Sequence, residues 1–246
     1  MEKRILIAAP VFQKEEIFKE YLNSLNHLII PEGYTIKKFF YLHNSPQLTK
    51  FLKEDEYKLV TDDTELLRND DSSKIWTKEN YKALYKMRTA LLRKAAIEKY
   101  DYLFTVDSDI LLHPKTLIKL IQDNKKVIGN MLWTRMDDKR LGAICGEQEN
   151  WKSYDNVEIF KKPGIYPIGW TCACLLISSY IFNNPKISYF PILGVDNTGC
   201  EDYAFSLRIR CNFPDVQMYI DTTYPSRHLY RQKDYERWMK EKKQYE

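Results

Sequence analysis

Asp107 and Asp109, in the run Leu103-Phe104-Thr105-Val106-Asp107-Ser108-Asp109, are the first residues whose type and spacing point to chemistry. The pair closes an apolar stretch, and Ile110, Leu111 and Leu112 follow at once. Carboxylates held between apolar segments are costly to ionise without a partner. Two oxygen ligands one residue apart at a strand end suit a hard divalent cation such as Mg2+ or Mn2+, with diphosphate oxygens completing its shell. An Asp/Ser turn capping the next segment fits the same residues, because Asp-x-Asp is a short pattern that chance also supplies.

A second acidic pair, Glu201-Asp202, follows Gly194 to Cys200 and opens a helical pattern through Tyr203-Ala204-Phe205-Ser206-Leu207-Arg208. Acids in a first turn complement the helix dipole. A carboxylate at a loop-to-helix corner is also placed to act as a general base for an acceptor hydroxyl. Arg88 falls inside the apolar stripe Tyr81, Leu84, Tyr85, Leu91, Leu92 and Ala95. There it either snorkels to the surface or meets an anion, and a phosphate or carboxylate suits its fork. His228, in Tyr224-Pro225-Ser226-Arg227-His228-Leu229-Tyr230, is a surface residue or a metal ligand. Cys172 and Cys174 alternate along an apolar run and read as core. Trp133, Trp151 and Trp170 suit either a large core or the stacking of a sugar face.

These residues need elements to hold them. Strands are expected over Arg4–Ala9, Thr35–Leu42, Tyr57–Val60, Tyr102–Val106, Val127–Met131, Trp170–Ile177 and Gln217–Ile220. Helices are expected over Lys14–Leu28, Thr77–Lys99, Pro114–Gln122, Glu201–Cys211 and from Lys233 onward. Alternating strands and helices in the first half argue a mostly parallel sheet covered on both faces, with ligands at the carboxyl ends of the strands. From Leu132 to Tyr166 the chain is polar and without a clear period. The expectation is one α/β domain over 1–246, with a nucleotide-binding half over 1–131, a sugar and acceptor half over 132–230, and a terminal helix over 231–246.

Composition removes several classes. The 246 residues are 44% hydrophobic, enough for a sizeable core, and carry a net charge of only +4, too small for a dedicated nucleic-acid binder. Five cysteines without a CxxC pair argue against a disulfide scaffold or a four-cysteine zinc site. The charged start at Met1-Glu2-Lys3-Arg4 and the apolar Ile5–Phe12 imitate a signal peptide, but Pro10 interrupts the run and Gln13-Lys14-Glu15-Glu16 replaces a cleavage site. No run reaches the roughly 18 apolar residues of a membrane span. The expectation is therefore a cytoplasmic protein. Its basic C-terminal stretch, with Trp238 and Met239, reads as a solvated helix that is also open to peripheral contact with an anionic membrane.

Taken in order, these pieces resemble a glycosyltransferase of the GT-A fold in the family 2 superfamily, and are also similar to the Anp1-type mannosyltransferases. The resemblance runs from about Ile5 to Tyr230. Ala9-Pro10-Val11-Phe12-Gln13-Lys14-Glu15-Glu16 is similar to the family's Pro-Val-x-Asn-Glu-Glu, with Gln13-Lys14 replacing Asn-Glu. Leu42-His43-Asn44-Ser45 stands where the family meets the nucleobase, and Tyr102–Asp109 resembles its Tyr-Val-Leu-Trp-Leu-Asp-Ala-Asp. Gly164 through Ile177 resembles the strand lining the donor-sugar pocket.

The resemblance implies a nucleotide-sugar donor, UDP- or GDP-linked, held by Pro10, Val11, Glu15, Asn44, Arg88, Asp107 and Trp170. It implies Mn2+ or Mg2+ on Asp107, Asp109 and His228, and a carbohydrate or glycoconjugate acceptor facing Glu201 and Asp202. Family 2 implies inversion with Asp202 as base and Glu201 orienting a sugar, whereas the Anp1-type resemblance implies retention without that base. The chain lacks the Gln-x-x-Arg-Trp motif of processive synthases, and Ala8-Ala9-Pro10-Val11 lacks the Gly-rich loop of a nucleotidyltransferase. A non-catalytic carbohydrate-binding protein is the alternative if both acidic pairs are caps.

Overall fold

The computed structural model describes residues 2–63, 77–135, 141–147, 154, 157–192 and 201–242. The first strand, β1 (Lys3–Val11), is buried from Ile5 onward and leads into α1 (Glu15–Asn26). β2 (Tyr34–His43) and β3 (Tyr57–Val60) follow, and then α2 (Lys78–Ile97), whose first turn is capped by Thr77 accepting from Asn80 N at 3.2 Å. β4 (Tyr102–Val106), β5 (Ile110–Leu111), α3 (Thr116–Gln122) and β6 (Val127–Arg135) complete the regular half. The strand β6 runs through the expected division at 131/132, so one sheet serves both halves.

The polar second half is more ordered than its composition predicts. It holds β7 (Leu141–Ala143), β8 (Cys145–Gly146), β9 (Ile165–Ile168), β10 (Trp170–Thr171), β11 (Cys174–Ser178), α4 (Ser179–Phe182), α5 (Glu201–Asn212), β12 (Met218–His228) and α6 (Gln232–Lys242). The main sheet runs β3-β2-β1-β4-β11-β6-β12-β5, with β7 on β6 and β9 on β12. β1 to β4 are parallel, and β11 enters antiparallel between β4 and β6. Short strands and cross-strand pairing hide the period there, which is why β7, β8 and β9 escape a sequence reading.

Two expectations are corrected. Trp170–Ile177 is not one strand, because the chain breaks at Ala173, whose φ of 67° is left-handed. Cys174 N donates to Cys172 O at 2.7 Å across that residue, a tight three-residue turn that an apolar run does not announce. Gln217–Ile220 is only the start of the eleven-residue β12, which passes an irregularity between Asp221 and Ser226 and continues to His228. Asp221, Pro225 and Ser226 in that continuation weaken its strand pattern.

Two helical layers cover the sheet. α2, α4 and α5 bury Leu91, Leu92, Phe182 and Phe205 on one face, and α1 and α3 bury Phe18, Tyr21, Leu117 and Leu120 on the other. The terminal helix α6 is not a free solvated helix. Tyr235 and Trp238 pack on Ile17, Leu111 and Leu229, and Trp238 Nε1 donates to Glu20 Oε2 at 2.9 Å. Trp238, one of the two apolar residues that suggested membrane contact, is therefore engaged with α1, β5 and the end of β12. No described helix is long and apolar enough to cross a membrane.

Candidate active site

The site lies at the carboxyl end of β4, where parallel strands present their ligands. Tyr21, fully buried on α1, donates its hydroxyl to Val106 O at 2.8 Å. Asp107 N donates to Ala173 O at 2.7 Å, so the left-handed turn fixes the backbone of the first acid. Ser108 carries the chain over to β5, and Ile110 pairs with His228. Leu229 N donates to Asp109 O at 2.8 Å. Asp109 and His228, distant in sequence, therefore meet, with His228 Nε2 at 3.6 Å from Asp109 Oδ1 and both side chains buried.

Arg88 does not snorkel. It is 3% exposed, and its Nη2 donates to both Asp107 oxygens at 2.8 and 3.0 Å. Its Nε lies 3.4 Å from Glu201 Oε1, and its guanidinium sits 5.6 Å from the Tyr189 ring centre. Of the two anions that Arg88 suits, the structure shows the carboxylate. One cation thus spans the two acidic motifs, and α2 delivers it from the apolar stripe that made it conspicuous.

Burial decides the protonation of the second pair. Asp202 is held well above the usual carboxylate range, first by desolvation and then by the charge of Glu201, against the pull of Arg88. Glu201 is raised as well by burial, with Arg88 opposing. Two carboxylates this close do not ionise together easily, so the pair keeps a proton to higher pH than an ordinary carboxylate does. Cys174, behind the turn, has its thiol pushed up by burial, and Cys145 is pushed up to about 12 for the same reason. Neither behaves as a nucleophile.

The other residues expected to hold the donor lie on several elements, each with local partners. Pro10 and Val11 end β1, and Val11 is wholly buried in the core. Asn44, at the end of β2, adopts φ 45°, and its side chain exchanges bonds of 3.1 and 3.2 Å with the backbone of Asp62. Buried His43 has its Nε2 2.9 Å from Oδ1 of the exposed Asp62, a partnership that the sequence did not suggest. Glu15 pairs with Lys19 at 3.2 Å and Lys50 at 2.7 Å, which holds its carboxyl below the usual range. The Trp170 indole closely approaches Gly146, where an added Cβ would stand 1.7 Å from the indole nitrogen. Trp151 and Gly194 to Cys200 lie outside the described residues.

Asp109 and His228 fit a divalent cation as two ligands. Their 3.6 Å gap is too long for a hydrogen bond and short enough for one ion to touch both. The other ring nitrogen, His228 Nδ1, shares a 2.7 Å hydrogen bond with Thr134 Oγ1, the outer-sphere support that orients a ligating imidazole. Asp107 is turned to Arg88 instead, and among the described residues no three ligand-type side chains converge.

The family model described as "Glycosyltransferase family 25, N-terminal domain" matches residues 38–232. The chain belongs to this family. Its match covers β2 through the start of α6, and with them both acidic motifs, Arg88 and His228. Among curated relatives, procollagen galactosyltransferase 1-A of Xenopus laevis is 25% identical over 88% of this chain and 38% of its own length. Procollagen galactosyltransferase 2 of Homo sapiens is 25% identical over 53% of this chain and 21% of its own. The chain thus spans well under half the length of these relatives. The crystal structure of GalNAc-T7 with UDP, GalNAc and Mn2+ superposes with TM-score 0.54 at 13% identity, over 94% of this chain and 44% of that one. The structure of S. aureus TarS gives 0.50 at 14% identity, over 96% and 38%. The fold is GT-A. Family 25 is thereby the family shown, and the Anp1-type similarity gains no support.

Proposed function

We propose that this domain transfers a hexose from a nucleotide-sugar donor to an acceptor hydroxyl with inversion at the anomeric carbon. The observation that carries the reading is the Arg88 bridge, which brings Asp107 and Glu201 to one point. The family membership and the galactosyltransferase names of the relatives favour a UDP-hexose, with UDP-galactose the first to test and a hydroxylated collagen-type peptide the first acceptor.

The chain's own residues divide the work. Arg88 holds Asp107 in place and offsets its charge, so the carboxylate is oriented before the sugar donor arrives. Glu201, paired with Arg88, is fixed beside the acceptor. Asp202 in its ionised form accepts the proton of the attacking hydroxyl as the new C–O bond forms and the bond to the diphosphate breaks. Its raised proton affinity makes it a stronger base than an ordinary surface carboxylate, so turnover rises with pH as it ionises. A divalent cation held by Asp109 and His228 would supply charge stabilisation to the departing diphosphate.

Product NMR from UDP-galactose tests the mechanism, with an inverted linkage expected. Asp202→Asn should lose about 10²-fold or more in turnover with sugar-donor affinity kept, the usual scale for a lost base. A retained linkage would remove Asp202 from that role. Calorimetry with UDP and GDP, with and without Mn2+, tests the metal. The metal-dependent part of binding should vanish in Asp109→Asn and weaken in His228→Ala, and affinity that ignores Mn2+ would overturn the assignment.

A further inference from the structure

The segment before α5 holds an aromatic ring, Phe190, out of the core one residue after Tyr189, which lies against Arg88. Residues 185–190 run along α2 in the reverse direction. Arg93 Nη2 donates to Pro185 O and Ile187 O at 2.7 and 2.6 Å, and Tyr189 N donates to Thr89 Oγ1 at 3.0 Å. Tyr189 is fully buried, stacked on Phe205 with ring centres 4.4 Å apart and planes 5° off parallel. Phe190, the next residue, is 40% exposed. Its ring meets half-buried Tyr85 at 5.0 Å and 55°, forming a corner of two rings.

This exposure is built. Arg208, on the helix that begins with Glu201 and Asp202, donates from Nη2 to Phe190 O at 2.9 Å and reaches Pro191 O at 3.4 Å. The backbone beneath the ring is thus clamped by the helix that carries the acceptor-side acids. Direction sets the height of the corner. The chain leaves the C-terminus of α2 for the start of β4, where Asp101 N donates to Arg4 O at 2.9 Å near the amino end of β1. The N-terminal turns of α2 therefore rise toward the carboxyl ends of the strands. Tyr85 stands three residues before Arg88, about 4.5 Å further out along the helix axis. Phe190 follows Tyr189, whose ring lies 5.6 Å from the Arg88 guanidinium that joins Asp107 and Glu201, so the ring corner stands one residue and about one helical turn from that junction. Asn44 and His43, where the resemblance puts the nucleobase, end β2 on the far side of β1 from β4.

We propose that Tyr85 and Phe190 form the acceptor subsite, a wall against which an extended peptide segment stacks while presenting its hydroxyl to Glu201 and Asp202. The proposal rests on the transferase reading and adds the residues that select the acceptor. An uncharged ring corner suits the rigid polyproline-type backbone of a collagen-like chain, which loses little entropy on docking against aromatic rings.

The test is steady-state kinetics of the 246-residue chain with UDP-galactose and a synthetic Gly-X-Y peptide carrying hydroxylated Y residues. Phe190→Ala and Tyr85→Ala should each raise the peptide KM by roughly tenfold, the scale of one lost aromatic contact with its buried area. UDP affinity by calorimetry should stay within about twofold of wild type, and Phe190→Trp should restore the peptide KM. Phe190 is exposed, so its variants test the idea even if Tyr85→Ala folds poorly. An unchanged peptide KM in Phe190→Ala, or a loss that falls on UDP instead, overturns the subsite while leaving the transferase standing. Wild-type protein that neither binds UDP nor turns over any sugar donor overturns the transferase reading, and the subsite with it.

Discussion

Arg88 and Asp107, on α2 and at the end of β4, are joined by one guanidinium nitrogen that donates to both carboxylate oxygens at 2.8 and 3.0 Å. The arginine side chain is 2% exposed and the aspartate 28%, so the pair has one buried end and one end open to a ligand. Because Glu201 and Asp202 crowd the buried end, Arg88 is the counter-charge for the whole cluster.

Removing that charge should therefore cost far more than a surface ion pair. Arg88→Met should destabilise the fold by about 3–5 kcal/mol, the range for a buried pair broken on one side. Arg88→Lys should recover only part, since an ammonium cannot span both acids with a rigid fork. Urea denaturation of the two variants checks the order, and a loss below about 1 kcal/mol in Arg88→Met would fit only an exposed pair.

The raised Asp202 makes a pH prediction with a definite sign. The folded chain holds a proton that the unfolded chain releases above the ordinary value of 3.8. Stability therefore falls as pH rises from that value toward the higher folded one. Asp202→Asn resembles the protonated form at every pH, so it should melt above wild type at pH 7, with the gap closing toward pH 4. Equal melting curves at pH 7 would mean that Asp202 is ionised at no cost. A variant more stable and less active would mark the pair as strained for function.

Ala173 gives a test of the backbone. Its left-handed φ of 67° costs an alanine about 1–2 kcal/mol, and a β-branched side chain more. Ala173→Gly should be near neutral, because relieved strain offsets the added freedom of the unfolded chain. Ala173→Val should lower stability by about 2 kcal/mol or more and weaken UDP binding, since Ala173 O anchors Asp107 N. Thermal melts with UDP titration separate the two effects, and a valine variant with native UDP affinity would uncouple the turn from the site.

The clasp of α6 on α1 should be felt at His228. Trp238 joins Glu20 and sits 4.9 Å beneath the Arg227 guanidinium, next to the proposed ligand. Trp238→Ala should lower stability by about 1–3 kcal/mol. It should also broaden or shift the His228 imidazole signals in NMR, whereas Phe190→Ala should leave them in place.

Much of this was legible from residue order alone. Apolar runs marked β1 and β4, an aromatic-rich stretch marked β2, and the 3.6-residue period marked α2 and exposed Arg88 as a charge in a buried stripe, because local pattern is what sets such elements. The acidic motifs were visible for the same reason, one at the end of an apolar run and one at the start of a helical pattern. Tertiary structure decided the rest. That Arg88 faces Asp107 and Glu201, and that Asp109 meets His228, depends on strand order across β4, β11, β6, β12 and β5, which no local pattern encodes. The turn at Ala173 is paid for by the Asp107 bond and sits in a sequence that reads as unbroken strand. The exposure of Phe190, one residue from buried Tyr189, follows from the Arg208 clamp on a distant helix. Sequence set which residues had to be held apart from water or brought to a strand end, and long-range packing chose their partners, because charge pairing in a core is settled only by three-dimensional proximity.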